Sequence, residues 1–167
     1  MKISKIINKP ISGGGIIDLN RSQIEHRALW IAKIYEEMVL SGTDAEGILR
    51  RAVRRTGNIH GDIFRIATDN SVVPDDFRKL IYNGVAAKTF DMSDIVASEN
   101  ELAVEFHYCP LVNAWQKIDL SDEVIGLLCD ITMEGDRGIA DAMGYKLELK
   151  DTIANGCAVC KMRFHLE

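Results

Sequence analysis

The residues best suited to chemistry gather in the second half of the chain. Glu105-Phe106-His107-Tyr108-Cys109-Pro110-Leu111-Val112 sets an imidazole and a thiol two residues apart. Ala114-Trp115 follows, then Cys129-Asp130 and Cys157-x-x-Cys160, and all four cysteines lie beyond residue 108. On an extended strand, residues i and i+2 share a face about 7 Å apart. That spacing allows His107 and Cys109 to line one pocket, with the imidazole stabilising a thiolate nucleophile. The plainer reading is an antiparallel strand with Leu102, Val104, Phe106 and Tyr108 inward and Ala103, Glu105, His107 and Cys109 on its more polar side.

A second group lies at helical spacing. Cys129, Met133, Asp136 and Ala140 form one row, in which Asp136 is a carboxylate among apolar and thiol side chains. A carboxylate turned toward a core needs partners, and a raised pKa there suits general acid or base work. The neighbouring row, Asp130, Glu134, Arg137 and Asp141, reads as a solvated, ion-paired face. Gly135 and Gly138 flank Asp136, so a break in the helix is also compatible with the pattern.

Cys157-x-x-Cys160 follows the turn Asn155-Gly156 and leads into a strand instead of opening a helix, which argues against thioredoxin-like chemistry. A second CxxC, which would complete a closed zinc site, is missing. Two small buried thiols are the simpler account, and neither metal nor cofactor is expected. Arg50, Arg51, Arg54 and Arg55, with Asp44 and Glu46 nearby, resemble a charged helix face; the alternative is an anion site that grips a carboxylate.

The elements that must position these groups follow from periodicity and capping. The spacing of Ile24, Ala28, Ile31, Tyr35 and Met38 predicts a helix over about 20–41, with Asp18 or Asn20 as its cap and Gly42 as its stop. Thr43 and Glu46 form a candidate capping box for a second helix over 44–68. Gly57 and Gly61 lie inside that helix, where close backbone packing is the favoured explanation and a bend beside a pocket is the alternative. Pro74-Asp75-Asp76 opens a third helix over 75–88. Residues 91–112 read as two strands joined at Ser98-Glu99-Asn100, with Pro110 ending the second or lying at an edge. A helical region over 121–143, capped by Ser121 or Asp122 and stopped by Gly144, precedes closing strands over 145–151 and 158–166. The expected fold is α+β, with N-terminal helices followed by an antiparallel sheet of about four strands in β-β-α-β-β order.

Chain length and composition bound the rest. The 167 residues suit one domain, divided into an arm and Gly-rich joint (1–19), a helical part (20–90) and a sheet part carrying the site (91–167). Hydrophobic residues at 47% and charged residues at 27% are ordinary for a globular protein. The net charge of −5 argues against nucleic-acid binding, and no apolar run is long enough for a bilayer. The N-terminus lacks a signal peptide's apolar core, so the expected location is the cytoplasm, where thiols stay reduced. The expected partner is a small-molecule substrate, with self-association left open.

Several motifs in one order carry a resemblance. Tyr108-Cys109-Pro110-Leu111-Val112 with Trp115, Leu128-Cys129-Asp130, Glu134-Gly135-Asp136, Leu147-Glu148-Leu149, Thr152 to Gly156, and Cys160 with Arg163-Phe164 together resemble the L-2-amino-thiazoline-4-carboxylic acid hydrolase family. The likeness covers about residues 101–166, with a weaker echo at Arg54-Arg55-Thr56-Gly57. It implies hydrolytic opening of a small cyclic C=N-containing amino acid to a carbamoylated product. Under that resemblance Cys109 is the nucleophile or a pocket thiol, Asp130 or Asp136 the general base or acid, and His107, Thr152 and Cys160 contact the substrate. A more distant similarity, to vinyl-reductase-type ligand-binding domains, implies a non-catalytic carrier or sensor instead.

Overall fold

The computed structural model of the protein describes residues 4–82 and 84–166. Helices α1 (Ile16–Leu40), α2 (Ala45–Ala67), α3 (Pro74–Ile81) and α4 (Gly84–Thr89) precede the hairpin β1 (Met92–Ala97) and β2 (Glu101–Phe106). Helices α5 (Pro110–Lys117), α6 (Asp122–Thr132) and α7 (Glu134–Met143) then lead to β3 (Tyr145–Leu149) and β4 (Cys160–Leu166), with a 3-10 turn over Ile153–Asn155 between them. The sheet is antiparallel throughout, in the order β1-β2-β4-β3. This is the expected α+β arrangement, helices first.

The sheet buries one face and solvates the other, as alternation in antiparallel strands allows. Leu102 and Val104 on β2 are buried with their neighbours Met162 and Phe164 on β4. Phe77, Tyr82, Tyr145 and Met143 complete that core. The outer face carries Glu101, Arg163 and His165, with Arg163 Nη1 3.0 Å from Glu101 Oε1 and His165 Nδ1 3.2 Å from Glu101 Oε2. A second core lies among the helices, built from Trp115, Val112, Ile125, Leu128, Ile131 and Ile153. Trp115 is fully buried, and its indole N–H donates to the Ala28 carbonyl at 3.0 Å, joining α5 to α1.

Local chemistry places several boundaries differently from the pattern-based expectation. The first helix begins at Ile16, behind Gly15 at φ 52°; Asp18 lies in its first turn, and Asn20 donates to Thr89 Oγ1 at 2.8 Å. Asp44, not Thr43, caps α2 by accepting from the Gly47 N–H at 2.9 Å, while Glu46 pairs with Arg50. The helix expected over 75–88 is two short ones, because the chain leaves helical geometry at Tyr82 (ψ 62°). The one expected over 121–143 divides at Met133, just before Gly135. Ser121 does cap α6, accepting from the Val124 N–H, and Gly144 ends α7 in the left-handed region at φ 80°.

The largest departure concerns residues 107–117. The second strand stops at Phe106, and Pro110 does not lie at a sheet edge; it opens α5. Proline's missing N–H and fixed φ suit the first helical position, and its ring holds Cys109 extended at φ −129°, ψ 111°. Val112, Ala114 and Trp115 then supply the buried stripe that anchors the helix.

Helices α2 and α7 meet through glycines. A Cβ at Gly57 would overlap the Gly135 carbonyl and come within 2.9 Å of the Gly135 Cα; one at Gly61 would come within 2.6 Å of the Ala142 Cβ. Close packing therefore explains both glycines, and Gly57 also borders the cavity described below. The Gly-rich joint continues into a packed arm. Ile6 is buried, the Gln116 amide donates to the Ile6 carbonyl, and the Ser12 N–H donates to Asp91. Asp91 in turn faces Arg21 at 3.2 Å, both side chains almost wholly buried, with the guanidinium 4.5 Å from the Tyr108 ring. Among the described residues, no helix is long and apolar enough to cross a membrane.

Candidate active site

A cavity of about 490 Å³ lies along the seam between the two cores. Phe106 and Met133, which pack on both cores, form part of its wall. One side carries Cys109 from the start of α5, Cys129 from α6, Asp136 from α7, Thr152 and Cys160. Exposed residues on the rim are Arg27 from α1 with Ala52, Thr56 and His60 from α2, so the cavity opens between these two helices.

Cys109 reaches the cavity because the strand ends early. Had β2 continued, Cys109 would share the outer face with His107. Instead, the turn into α5 redirects it inward, where Asn8 holds its backbone. The Asn8 amide donates to the Cys109 carbonyl at 2.9 Å, and the Cys109 N–H donates to the Asn8 Oδ1 at 2.9 Å. His107 lies elsewhere: its Nε2 is 2.8 Å from the Ser93 hydroxyl on neighbouring β1, and it does not line the cavity.

The carboxylates separate just as clearly. Asp136 lines the cavity, where burial raises its pKa to about 6 against the opposing pull of Arg27, its own amide and Arg137. Its side chain is only partly covered, and it borders the cavity space. Asp130, six residues earlier, points outward with its side chain 48% exposed, 2.7 Å from Arg50 and 2.6 Å from Arg137. Partial burial works to raise its pKa, but hydrogen bonds from Arg137 and Arg50 outweigh this and hold the group below the usual carboxylate range. Arg50, Arg51 and Arg54 of the arginine cluster make such pairs: Arg54 meets Glu134 at 3.0 Å and also Asp141, and Arg51 lies 3.7 Å from Asp44.

Burial disfavours the thiolate form of all three cavity cysteines. Burial raises Cys109, lifts Cys129 well above the ordinary thiol range, and pushes Cys160 up to about 12. Cys160 Sγ accepts from the Ile153 N–H at 3.3 Å. Cys109 makes no capping hydrogen bond, but the Val112 and Leu111 amides and the Arg27 charge all pull it back toward the thiolate. Cys157, half-exposed, lies outside the cavity lining. Thr152 is buried at the wall, its hydroxyl accepting from the Asn155 N–H at 3.2 Å. Among the described residues, no three His, Cys, Asp or Glu side chains gather closely enough to hold a metal ion.

Of the residues singled out from the sequence, the fold brings Cys109, Asp136, Thr152 and Cys160 to one cavity and leaves His107 and Asp130 outside. Two further groups belong with them. Arg27 acts electrostatically on both Cys109 and Asp136. Its only mark in the sequence is its place at the border of the α1 apolar stripe, three residues after Ile24 and four before Ile31. Tyr82 lines the cavity, its phenol raised well above the ordinary value by burial and by the Asp136 charge. It stands at the end of a short helix, where periodicity carries no signal.

Among solved structures, the fold resembles a trafficking protein particle complex subunit 3 from Naegleria fowleri, covalently bound to palmitic acid, with a TM-score of 0.54. The two are 17% identical over 90% of this chain and 96% of that one, a likeness of fold alone. No curated protein sequence matches the chain significantly. The sequence profile of the L-2-amino-thiazoline-4-carboxylic acid hydrolases does match, over residues 21–164, which extends the likeness from the C-terminal half to most of the chain. The match includes α1 and α2 as well as the strands and helices that bear Cys109 and Asp136, and the chain belongs to the L-2-amino-thiazoline-4-carboxylic acid hydrolase family.

Proposed function

We propose that the protein is a hydrolase that opens a small cyclic C=N-containing amino acid, of the 2-amino-thiazoline-4-carboxylate type, to a carbamoylated product. The observation that carries this reading is the placement of Asp136, whose pKa is pushed up to about 6, in one cavity with Cys109. A group with that pKa is mostly ionised at neutral pH and returns a proton readily, which suits it to act first as base and then as acid.

In this reading water attacks the ring carbon that lies between sulfur and nitrogen. Asp136 accepts a proton from the water as its oxygen bonds to carbon, and passes that proton to the ring nitrogen. Collapse of the tetrahedral centre breaks a ring bond, and the hydroxyl proton moves to the departing ring atom as the carbonyl forms. Because burial disfavours the Cys109 thiolate, this reading takes activated water as the nucleophile and Cys109 as a wall of the ring site. Thr152 and Cys160 shape the same wall, and Arg27 at the rim offers a cation to the substrate carboxylate. His107 and Asp130 have no part in this scheme.

The test is ring opening of 2-amino-thiazoline-4-carboxylate by the wild type, Asp136→Asn and Cys109→Ser. Asp136→Asn is expected to lose at least about 100-fold in kcat, the usual contribution of a positioned acid or base, and Cys109→Ser to lose less. Full turnover by both variants would sink the assignment. The largely apolar lining is also what a carrier would show, and thermal stabilisation by the ring compound without any turnover would favour that second reading.

A further inference from the structure

A carboxylated five-membered ring fills only a fraction of this cavity. Its volume of about 490 Å³ falls among pockets that enclose drug-sized ligands, about 300–1,000 Å³. Protein interiors are close-packed, with few voids larger than a water molecule, so the surplus space has no packing explanation.

The surplus has its own chemistry. Cys109, Cys129 and Cys160 belong to or pack on the helical core, and Asp136 and Thr152 share the cavity wall with them. On the sheet side the lining is apolar: Ile81, Phe90, Met92 and Phe106 keep accessible surface, and Phe77, Tyr82, Met162 and Phe164 are buried among them. These rings brace one another, with centroids 5.4 Å apart for Phe77 and Phe164 and 5.2 Å for Phe90 and Phe106. Contacts of this kind hold the wall open and in place. Apart from the Tyr82 hydroxyl, these side chains offer no conventional hydrogen-bonding group. Water there would find few partners, and an apolar group would displace it favourably.

Resting on the ring-hydrolase reading above, we infer that the ligand is amphiphilic: a compact carboxylated C=N ring at the Asp136 and Cys109 wall, carrying an alkyl or aryl arm that occupies the apolar lobe lined by Ile81, Phe90, Met92 and Phe106. The bare ring is then a minimal substrate that leaves the apolar lobe unused.

The experiment compares 2-amino-thiazoline-4-carboxylate with the same ring bearing methyl, propyl and pentyl arms at carbon 5. Ring opening and the shift in melting temperature are measured for each compound. Both are expected to rise with arm length, with kcat/KM gaining about fourfold per buried methylene until the lobe is full. Ile81→Trp, which narrows the lobe, is expected to reduce the ratio of pentyl-arm to bare-ring kcat/KM. A flat response to arm length, in turnover and in melting temperature alike, overturns the inference and leaves the hydrolase reading standing wherever the bare ring is opened. Stabilisation that grows with arm length but without ring opening upholds the amphiphilic site and overturns the hydrolase reading.

Discussion

Asn8 and Cys109, 101 residues apart, exchange two hydrogen bonds of 2.9 Å, so that the N-terminal arm fixes the backbone of the thiol at the cavity wall. Asn8 is only 8% exposed, and the Cys109 N–H depends on it, whereas the Cys109 carbonyl also accepts from the Asn113 N–H. Asn8→Ala orphans the Cys109 N–H, at a cost of about 1–3 kcal/mol for a donor left unsatisfied in the interior, while the carbonyl keeps the Asn113 N–H at 3.1 Å. The expected result is a lower denaturant midpoint together with faster alkylation of Cys109, followed by peptide mass mapping. If the midpoint falls but Cys109 reacts at its wild-type rate, the arm stabilises the fold without positioning the thiol.

Asp136 makes stability depend on pH. Its folded pKa, near 6, lies above the ordinary 3.8, so the folded chain holds this proton more tightly than the unfolded chain does. Below about pH 4 the group is neutral in both states and imposes no penalty; as pH rises from about 4 to 6 the penalty grows, and above 6 it is constant. Asp136→Asn removes the buried charge. It is expected to raise unfolding free energy at pH 8, by an amount on the order of 3 kcal/mol at most, and to lose that advantage by pH 4. Urea titrations at the two pH values check this, and an advantage independent of pH would contradict it.

The same carboxylate predicts the acid limb of the activity profile. For turnover that needs Asp136 as a base, kcat/KM rises through about pH 6 and levels off above it. The control variants are His107→Ala and Asp130→Asn, neither of which alters the cavity wall. Both are expected to keep kcat/KM within about twofold, with Asp130→Asn losing only the modest value of exposed ion pairs, about 0–1 kcal/mol. A loss of 100-fold in either variant would move the chemistry to the outer surface.

Gly57→Ala addresses the contact between α2 and α7. The new methyl group has no space beside Gly135, and backbone, not a flexible side chain, occupies the position. The helices must separate, at an expected loss of about 1–3 kcal/mol. Because Gly57 and Gly135 both border the cavity, ligand-induced stabilisation is expected to fall as well. A variant with the wild-type melting temperature would show that the two helices are not packed this closely.

Much of the scaffold was legible in the sequence because it depends on neighbours within a few residues. The apolar row of α1, the Ser121 cap, the Gly144 stop and the two antiparallel hairpins around β2 and β4 follow from helical and strand periods and from caps. In α2, by contrast, Ile48, Ile59, Ile63 and Ile66 lie exposed, and the buried residues are Ala45, Leu49, Gly57 and Gly61. The cysteine and aspartate row Cys129, Met133, Asp136 also indicated the helix face that borders the cavity.

Only the tertiary structure decided which groups meet. Alternation along 101–109 gave His107 and Cys109 one shared face, but alternation holds only while a strand continues. Here the ladder ends at Phe106, and Pro110 starts a helix. That single change sends the thiol inward, leaves the imidazole beside Ser93, and opens a place for Arg27 and Tyr82 from elements distant in the chain. Asp136, not Asp130, enters the cavity because α7 packs on the glycines of α2, and periodicity sets the angle between two carboxylates without saying which one a neighbouring helix will cover. Residue type and spacing determined what chemistry the chain could hold; the packing of its two cores determined where that chemistry comes together.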